Sequence, residues 1–246
     1  LTLEDGTMKH LILSALLLLM PAEAQTTDNT TVNKNKTTQI DSSYSHVERA
    51  VRKAAVKVST PRGHGSGGLI KYKDMNLVLT AQHVANGPLG STYLISAEVE
   101  EQLGILIYSD PLNDIAIVYL AEEFRYAKPM RWRTKNLLTS VGTNITYSGY
   151  PSWHSLLSFR GSVAGYELLP HKGQQIILQT YGYFGSSGSV IYDTDYNIVG
   201  VLWGVDTQSE GVHENIVWVA PIQNLNINLA LKPLCNGLGN APRACR

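Results

Sequence analysis

Hydrophobic and polar positions along the chain come mostly in short alternating or continuously apolar runs, the pattern of strands rather than of long amphipathic helices. Val56-Lys57-Val58-Ser59 alternates as a half-buried strand does. Further strands are predicted over 67–72, 77–80, 92–99, 104–108, 115–120, 144–148, 156–166, 175–180, 189–192, 198–205 and 216–221, each bounded by Gly, Pro, Asn or Asp. This density of short strands and turns predicts an all-β architecture, barrels or a sandwich, and the absence of a fixed repeat period excludes a solenoid or propeller.

Two segments read otherwise. Ser45, with Glu48 three positions on, can cap a helical turn running through about Arg52. Residues 221–232 place Ile222, Leu225, Ile227, Leu229 and Leu231 at spacings that predict a short C-terminal helix. The loop-rich stretch 125–141 divides the strands into two halves and predicts a link between two barrels. Its basic residues Arg125, Lys128, Arg131, Arg133 and Lys135 are too dispersed to form a phosphate-binding stripe and read as a solvated loop.

Composition adds limits. With 16% charged and 43% hydrophobic residues, 21 glycines and 13 tyrosines, the chain is globular and turn-rich. The full sequence carries a formal net charge of zero, which argues against a nucleic-acid or anionic-membrane partner. Met8-Lys9-His10, the apolar run 11–20 and Ala22-Glu23-Ala24 have the layout of a signal peptide, with cleavage expected after Ala24. Residues 1–7 precede Met8 and are read as upstream of the true start. A Thr-, Asn- and Ser-rich leader follows over 25–44 without apolar periodicity. The expected location is therefore secreted or periplasmic, with no stable membrane insertion after cleavage. Cys235 and Cys245 both fall in the tail, 233–246, where they either close a small disulfide loop or remain two thiols; a metal site is not expected.

Three segments carry candidate chemistry. Attack on an amide carbonyl by a serine needs a base, an acid that orients the base, and donors for the oxyanion. Apolar residues 77–79 lead into Thr80-Ala81-Gln82-His83, presenting one histidine at a strand end as a candidate base. Asp114 stands immediately before the apolar run 115–120 and is the candidate orienting acid; Asp110, beside Pro111 in a turn, is its competitor. In Gly185-Ser186-Ser187-Gly188-Ser189 the glycines permit a tight loop in which backbone N–H groups converge, and Ser187 is the candidate nucleophile. Each segment is a weak signal alone; the order His, Asp, Ser with each at a strand edge is much stronger, and it differs from the Ser-first order of α/β-hydrolases.

Together with Gly65-Ser66-Gly67-Gly68-Leu69-Ile70 and Ile198-Val199-Gly200-Val201-Leu202-Trp203-Gly204, these segments resemble the chymotrypsin/trypsin-like serine peptidases, in particular the bacterial HtrA-like and glutamyl-endopeptidase-like branches, over about residues 47–231. The resemblance implies two six-stranded Greek-key β-barrels, about 45–130 and 136–221, with the active site between them and a short helix at the end. It implies His83 as general base, Asp114 as its orienter, Ser187 as nucleophile, and the backbone N–H groups of Gly185 and Ser187 as oxyanion hole. Substrate contacts are implied at Thr180, Tyr181, Leu202, Trp203 and Gly204. The implied activity is that of a secreted, monomeric endopeptidase acting on polypeptides through an acyl-enzyme without cofactor or metal. The alternative is an inactive, protease-like binding or adhesion module.

Departures from the family pattern narrow the subclass. Ser186 stands where trypsin-like zymogens carry the Asp that binds a freed N-terminus, so activation by that ion pair is not expected. Leu202 stands where glutamyl endopeptidases carry a His, which removes the basis for an acidic preference, and the cysteines that flank the active His in animal proteases are missing, which points to a microbial or viral protein. HtrA proteins append a PDZ domain, and this sequence ends soon after the last predicted helix, so regulation of that kind is not expected. His64 and His213 read as loop residues, and His213, just before the strand 216–219, is a candidate for the substrate pocket.

Overall fold

The computed structural model describes residues 43–208 and 211–237. The predicted signal peptide, nearly all of the leader and Cys245 lie outside the described residues. Cys235 is disulfide-bonded, and Cys245 is the only other cysteine in the sequence.

Two antiparallel barrels account for most of the described chain. In the first, β1 (Ala55–Thr60), β2 (Gly63–Tyr72), β3 (Met75–Thr80), β4 (Thr92–Ala97), β5 (Glu100–Asp110) and β6 (Ile115–Leu120) follow the order β1-β4-β5-β6-β3-β2, and pairing of β1 with β2 closes the ring. The second is a closed barrel of β8 (Asn144–Gly149), β9 (Leu157–Leu169), β10 (Gly173–Gln179), β11 (Val190–Asp193), β12 (Ile198–Gln208) and β13 (Gly211–Pro221). Several strands run longer than the hydrophobic pattern predicts, β5 and β13 most clearly. Their added residues lie in hairpin arms where pairing continues after burial has stopped, as from Asp206↔His213 to Gln208↔Gly211.

β12 serves two cores at once, its alternation interrupted at Val199, where the register with β11 shifts between Ile191 and Tyr192. Val199 and Leu202 fill the second barrel with Ile145, Tyr147, Val163, Ile176, Leu178 and Val217. Ile198 and Val201 join a larger cluster that includes the first barrel's interior. One strand therefore lines one barrel and seals it to its neighbour.

The link also carries structure. It includes β7 (Met130–Arg131), which pairs in parallel with β2. Lys135, read from sequence as solvated, has Nζ 2.7 Å from Oδ2 of buried Asp193, and Arg133 accepts a backbone hydrogen bond from Ile198 at 2.7 Å. At the other end a 3₁₀ turn (Ile222–Asn224) precedes α2 (Ile227–Ala230) and α3 (Lys232–Gly237), so the predicted C-terminal helix is broken into short pieces. Ile222, Leu225, Ile227, Ala230, Leu231 and Leu234 still bury their side chains in the larger core.

Helix α1 (His46–Ala54) begins with the predicted capping box. Glu48 N–H donates to Ser45 Oγ and Ser45 N–H donates to Glu48 Oε2. The same carboxylate pairs with Arg160 on β9, where Nη2 donates at 2.6 Å. The Arg160 hydrogen bond, helped by Ser45 and opposed by burial, holds the Glu48 carboxyl down at about 2. A depressed carboxyl stabilises the fold above its unfolded value, 4.5, and that contribution disappears as pH falls through about 2. Arg160 is largely exposed, so water screens the pair and its contribution is modest. Glu48→Gln is therefore expected to lower Tm at pH 7 by about 2–5 °C and to flatten the fall of Tm on acidification between pH 4.5 and 2. Calorimetry across that range checks both.

Candidate active site

Asp114 reaches its position through a turn built by its sequence neighbour. Asp110 Oδ1 accepts from the N–H groups of Leu112 at 3.0 Å and Asn113 at 3.1 Å, while its Oδ2 accepts from Asn113 Nδ2 at 2.7 Å and from the Tyr108 hydroxyl at 3.1 Å. Burial, with Asp110 beside it, pushes the Tyr108 phenol up to about 12. With all these bonds inside its own turn, Asp110 is the scaffold. Asp114 leaves the turn at φ 55°, a left-handed conformation that Asp tolerates better than most residues.

The buried Asp114 carboxylate then meets His83 twice. Oδ1 accepts the His83 backbone N–H at 2.9 Å, and the ring Nδ1 lies 2.9 Å from Oδ2 and 3.1 Å from Oδ1. Burial pushes the Asp114 carboxyl up; the His83 ring and backbone N–H, together with the Lys172 ammonium, outweigh it and hold it below the usual carboxylate range. An ionised acid of this kind fixes the imidazole plane and favours the tautomer with its proton on Nδ1. The His83 side chain is 45% exposed.

Ser187 comes from the second barrel, in the loop between β10 and β11. Its backbone is fastened to β2: Ser66 N–H donates to Ser187 O at 2.7 Å, and Ser66 Oγ donates to Gly185 O at 2.7 Å while accepting from Tyr150 N–H at 2.9 Å. Thr80 Oγ1 holds Ser66 in turn through its carbonyl at 2.7 Å. Gly185 and Gly188 have φ +91° and +92° and no room for a side chain; a Cβ on Gly188 would sit 2.0 Å from Ser66 O, and one on Gly185 2.4 Å from Tyr150 O. Phe184 O accepts from Ser152 N–H, which turns the Gly185 N–H of the same planar peptide the opposite way. Among the described residues the N–H groups of Gly185 and Ser187 meet no acceptor.

The structure brings His83 and Asp114 into direct contact but gives His83 and Ser187 no hydrogen bond. Ser187 Oγ instead donates to Trp203 O at 3.4 Å, a weak bond. Trp203 lies at a β-bulge where the β12–β13 register shifts between Leu202 and Gly204. A hollow of about 510 Å³, lined by Thr60, Pro61, Arg62, His83, Val84 and Asn86, opens beside the imidazole.

The residues expected to touch substrate divide. Gly204 would tolerate a Cβ with nothing within 4 Å, so its backbone faces open space, and Trp203 and Tyr181 are partly exposed. Leu202 requires correction: its side chain is 1% exposed inside the second barrel's core, because alternation along β12 turns it inward. Its role is to hold the serine loop, accepting from Gly188 N–H at 2.7 Å and donating to Ser189 O at 2.9 Å. Thr180 is buried as well, its hydroxyl donating to Arg160 O. His64 and His213 lie in strands β2 and β13 rather than in loops. His64 Nε2 is 2.9 Å from Tyr150 O, against the Gly185 backbone, while His213 Nε2 is buried with no hydrogen-bond partner among the described residues. Sequence reading missed Ser66 as a tether and Lys172 as a neighbour of Asp114. Ser66 could have been suspected from its place among Gly65, Gly67 and Gly68; Lys172 left no signal, being an ordinary turn lysine 58 positions from its partner.

The family model for the trypsin-like peptidase domain matches residues 65–201, more than half the chain and the stretch containing all three candidate groups. The chain belongs to the trypsin-like peptidase family. Among solved structures, this peptidase is similar to Rv3671c from M. tuberculosis H37Rv, with 17% identity, a TM-score of 0.59, and coverage of 72% of this chain and 84% of that one. It is likewise similar to the HtrA-type protease AlgW in complex with a tripeptide, with 18% identity, a TM-score of 0.60, and coverage of 75% of this chain and 60% of that one. Identities this low speak for a shared fold. No curated protein sequence matches the chain.

Two glycines test how the site is built. Gly188→Ala forces a Cβ against Ser66 O and Thr80 Oγ1 at a backbone conformation unsuited to Ala, and is expected to lower Tm by more than about 10 °C or to prevent folding. Gly204→Ala, with open space around it, should leave Tm within about 2 °C of the wild type. Thermal melts of the two variants side by side check the contrast.

Proposed function

We propose that this peptidase is an exported serine endopeptidase in which Ser187 attacks the scissile carbonyl, His83 takes its proton, and Asp114 orients and stabilises the imidazole. The observation carrying the reading is the doubly bonded His83–Asp114 pair on the first barrel, to which the loop bearing Ser187 is itself locked through Ser66. The mechanism follows from charge. As Oγ bonds to the carbonyl carbon, the proton passes to His83, and the imidazolium forms beside an Asp114 carboxylate already ionised to receive it. The carbonyl oxygen gains negative charge opposite the unpaired N–H groups of Gly185 and Ser187. His83 then gives the proton to the leaving amine, the acyl-enzyme forms, and water releases the acid by the same steps reversed. Turning Ser187 Oγ from Trp203 O toward His83 gives up only a long hydrogen bond, so the resting rotamer costs little to leave.

On this reading, substrate backbone pairs along β12 at Trp203 and Gly204, where the bulge leaves the edge open, and the leaving portion lies over the hollow beside His83. Export rests on the signal-like segment 8–24 and on the disulfide at Cys235. One observation favours the inactive binding module instead: Ser187 Oγ points to Trp203 O and not to the imidazole.

The test is turnover of an unfolded protein substrate, with products identified by mass spectrometry. Wild type should cut internal peptide bonds, and Ser187→Ala and His83→Ala should each lower kcat/KM by about 10³-fold or more. Binding of the unfolded chain without cleavage would establish the module reading, and cleavage undiminished in Ser187→Ala would remove Ser187 as the nucleophile.

A further inference from the structure

Asp114 has a second cationic neighbour. Lys172 belongs to the turn between β9 and β10, in the second barrel, yet its Nζ lies 3.3 Å from Asp114 Oδ2, the oxygen that also faces His83 Nδ1 at 2.9 Å. The ammonium simultaneously sits 4.5 Å from the centre of the Trp203 ring, within cation–π range. The turn is fixed in place. Gln175, fully buried, donates from Nε2 to Lys172 O at 2.6 Å and accepts the Trp203 indole N–H on Oε1 at 2.9 Å, while Lys172 N–H donates to Leu169 O at 3.2 Å and Gly173 supplies φ +67°. A lysine held by its own backbone, an aromatic face and a carboxylate is placed before any substrate arrives.

We propose that Lys172 is a positioning residue for the His83–Asp114 pair: from the opposite barrel it pins the Asp114 carboxylate in the orientation that receives Nδ1–H, and its charge opposes protonation of the pair at rest. This inference rests on the triad reading above. Asp114 has to stay ionised and unable to rotate while the imidazole gains a proton and loses it again. One carboxylate oxygen shared between an ammonium and an imidazole meets both requirements. The charged or titratable groups acting most strongly on Asp114 are His83 and Lys172, and Asp110 in the same turn is occupied by four donors of its own.

Lys172→Met keeps the stem against Trp203 and removes the charge; Lys172→Arg keeps the charge. The first measurement needs no activity: the macroscopic protonation midpoint of the pair, followed through the His83 Cε1–H resonance by NMR. It should rise by about 0.5–1 pH unit in Lys172→Met and move by less than about 0.2 in Lys172→Arg, from the Coulomb interaction of partly screened charges that share one carboxylate oxygen. The second is the acid limb of kcat/KM, which should move upward by the same amount, with kcat falling about 3–30-fold and KM changed less than about 2-fold. An unmoved midpoint in Lys172→Met, or a loss confined to KM, would show that Lys172 only packs on Trp203 and would overturn the proposal. A wild type without turnover would count against the triad reading alone, since the NMR comparison still decides whether Lys172 biases the pair.

Discussion

Everything at the site depends on one strand of the first barrel holding one loop of the second. Ser66 makes this tie with two groups, its N–H to Ser187 O and its hydroxyl between Gly185 O and Tyr150 N–H, while its carbonyl is held within the first barrel by Thr80 Oγ1. It is fully buried, so these bonds exchange no partners with water, and a group left unpaired there would carry a full desolvation cost. The approach demands glycine at 188, because Ser66 O occupies the space a Cβ would need. Packing, hydrogen bonding and backbone conformation at Gly185, Ser187 and Gly188 are thus consequences of the same contact.

The acid side depends on a complementary constraint. Asp110 absorbs four donors to form a tight turn, and the strained φ of Asp114 is its product. Burial alone would favour a neutral Asp114, yet two cationic or proton-donating neighbours drawn from both barrels keep it charged. The first barrel supplies His83 and the second supplies Lys172, so correct docking of the barrels is also the condition for correct ionisation.

Sequence reading reached the barrels because apolar runs mark buried strands: the strand at 115–120 coincides with β6, since nearly every residue in it is buried. The C-terminal segment is helical as expected but in short pieces, because apolar side chains reach a core equally well from single turns. At the site, the context of His83 and Ser187 was visible as apolar residues leading into a small-residue turn and as paired glycines. Choosing Asp114 over Asp110 needed only the local rule that an acid beside Pro111 closes turns. Leu202 was misplaced because homology assigns positions along a strand, whereas alternation decides which face each position takes. Lys172 and Ser66 act through contacts 58 and 119 residues away in sequence, and no local pattern encodes such distances.

The most direct measurement is covalent capture of the nucleophile. Mature protein treated with a fluorophosphonate and digested for mass spectrometry should carry a single adduct, on Ser187, formed at a rate that falls by about 10²-fold or more in His83→Ala. Absence of an adduct on folded wild-type protein, or an adduct on another residue, would contradict the account.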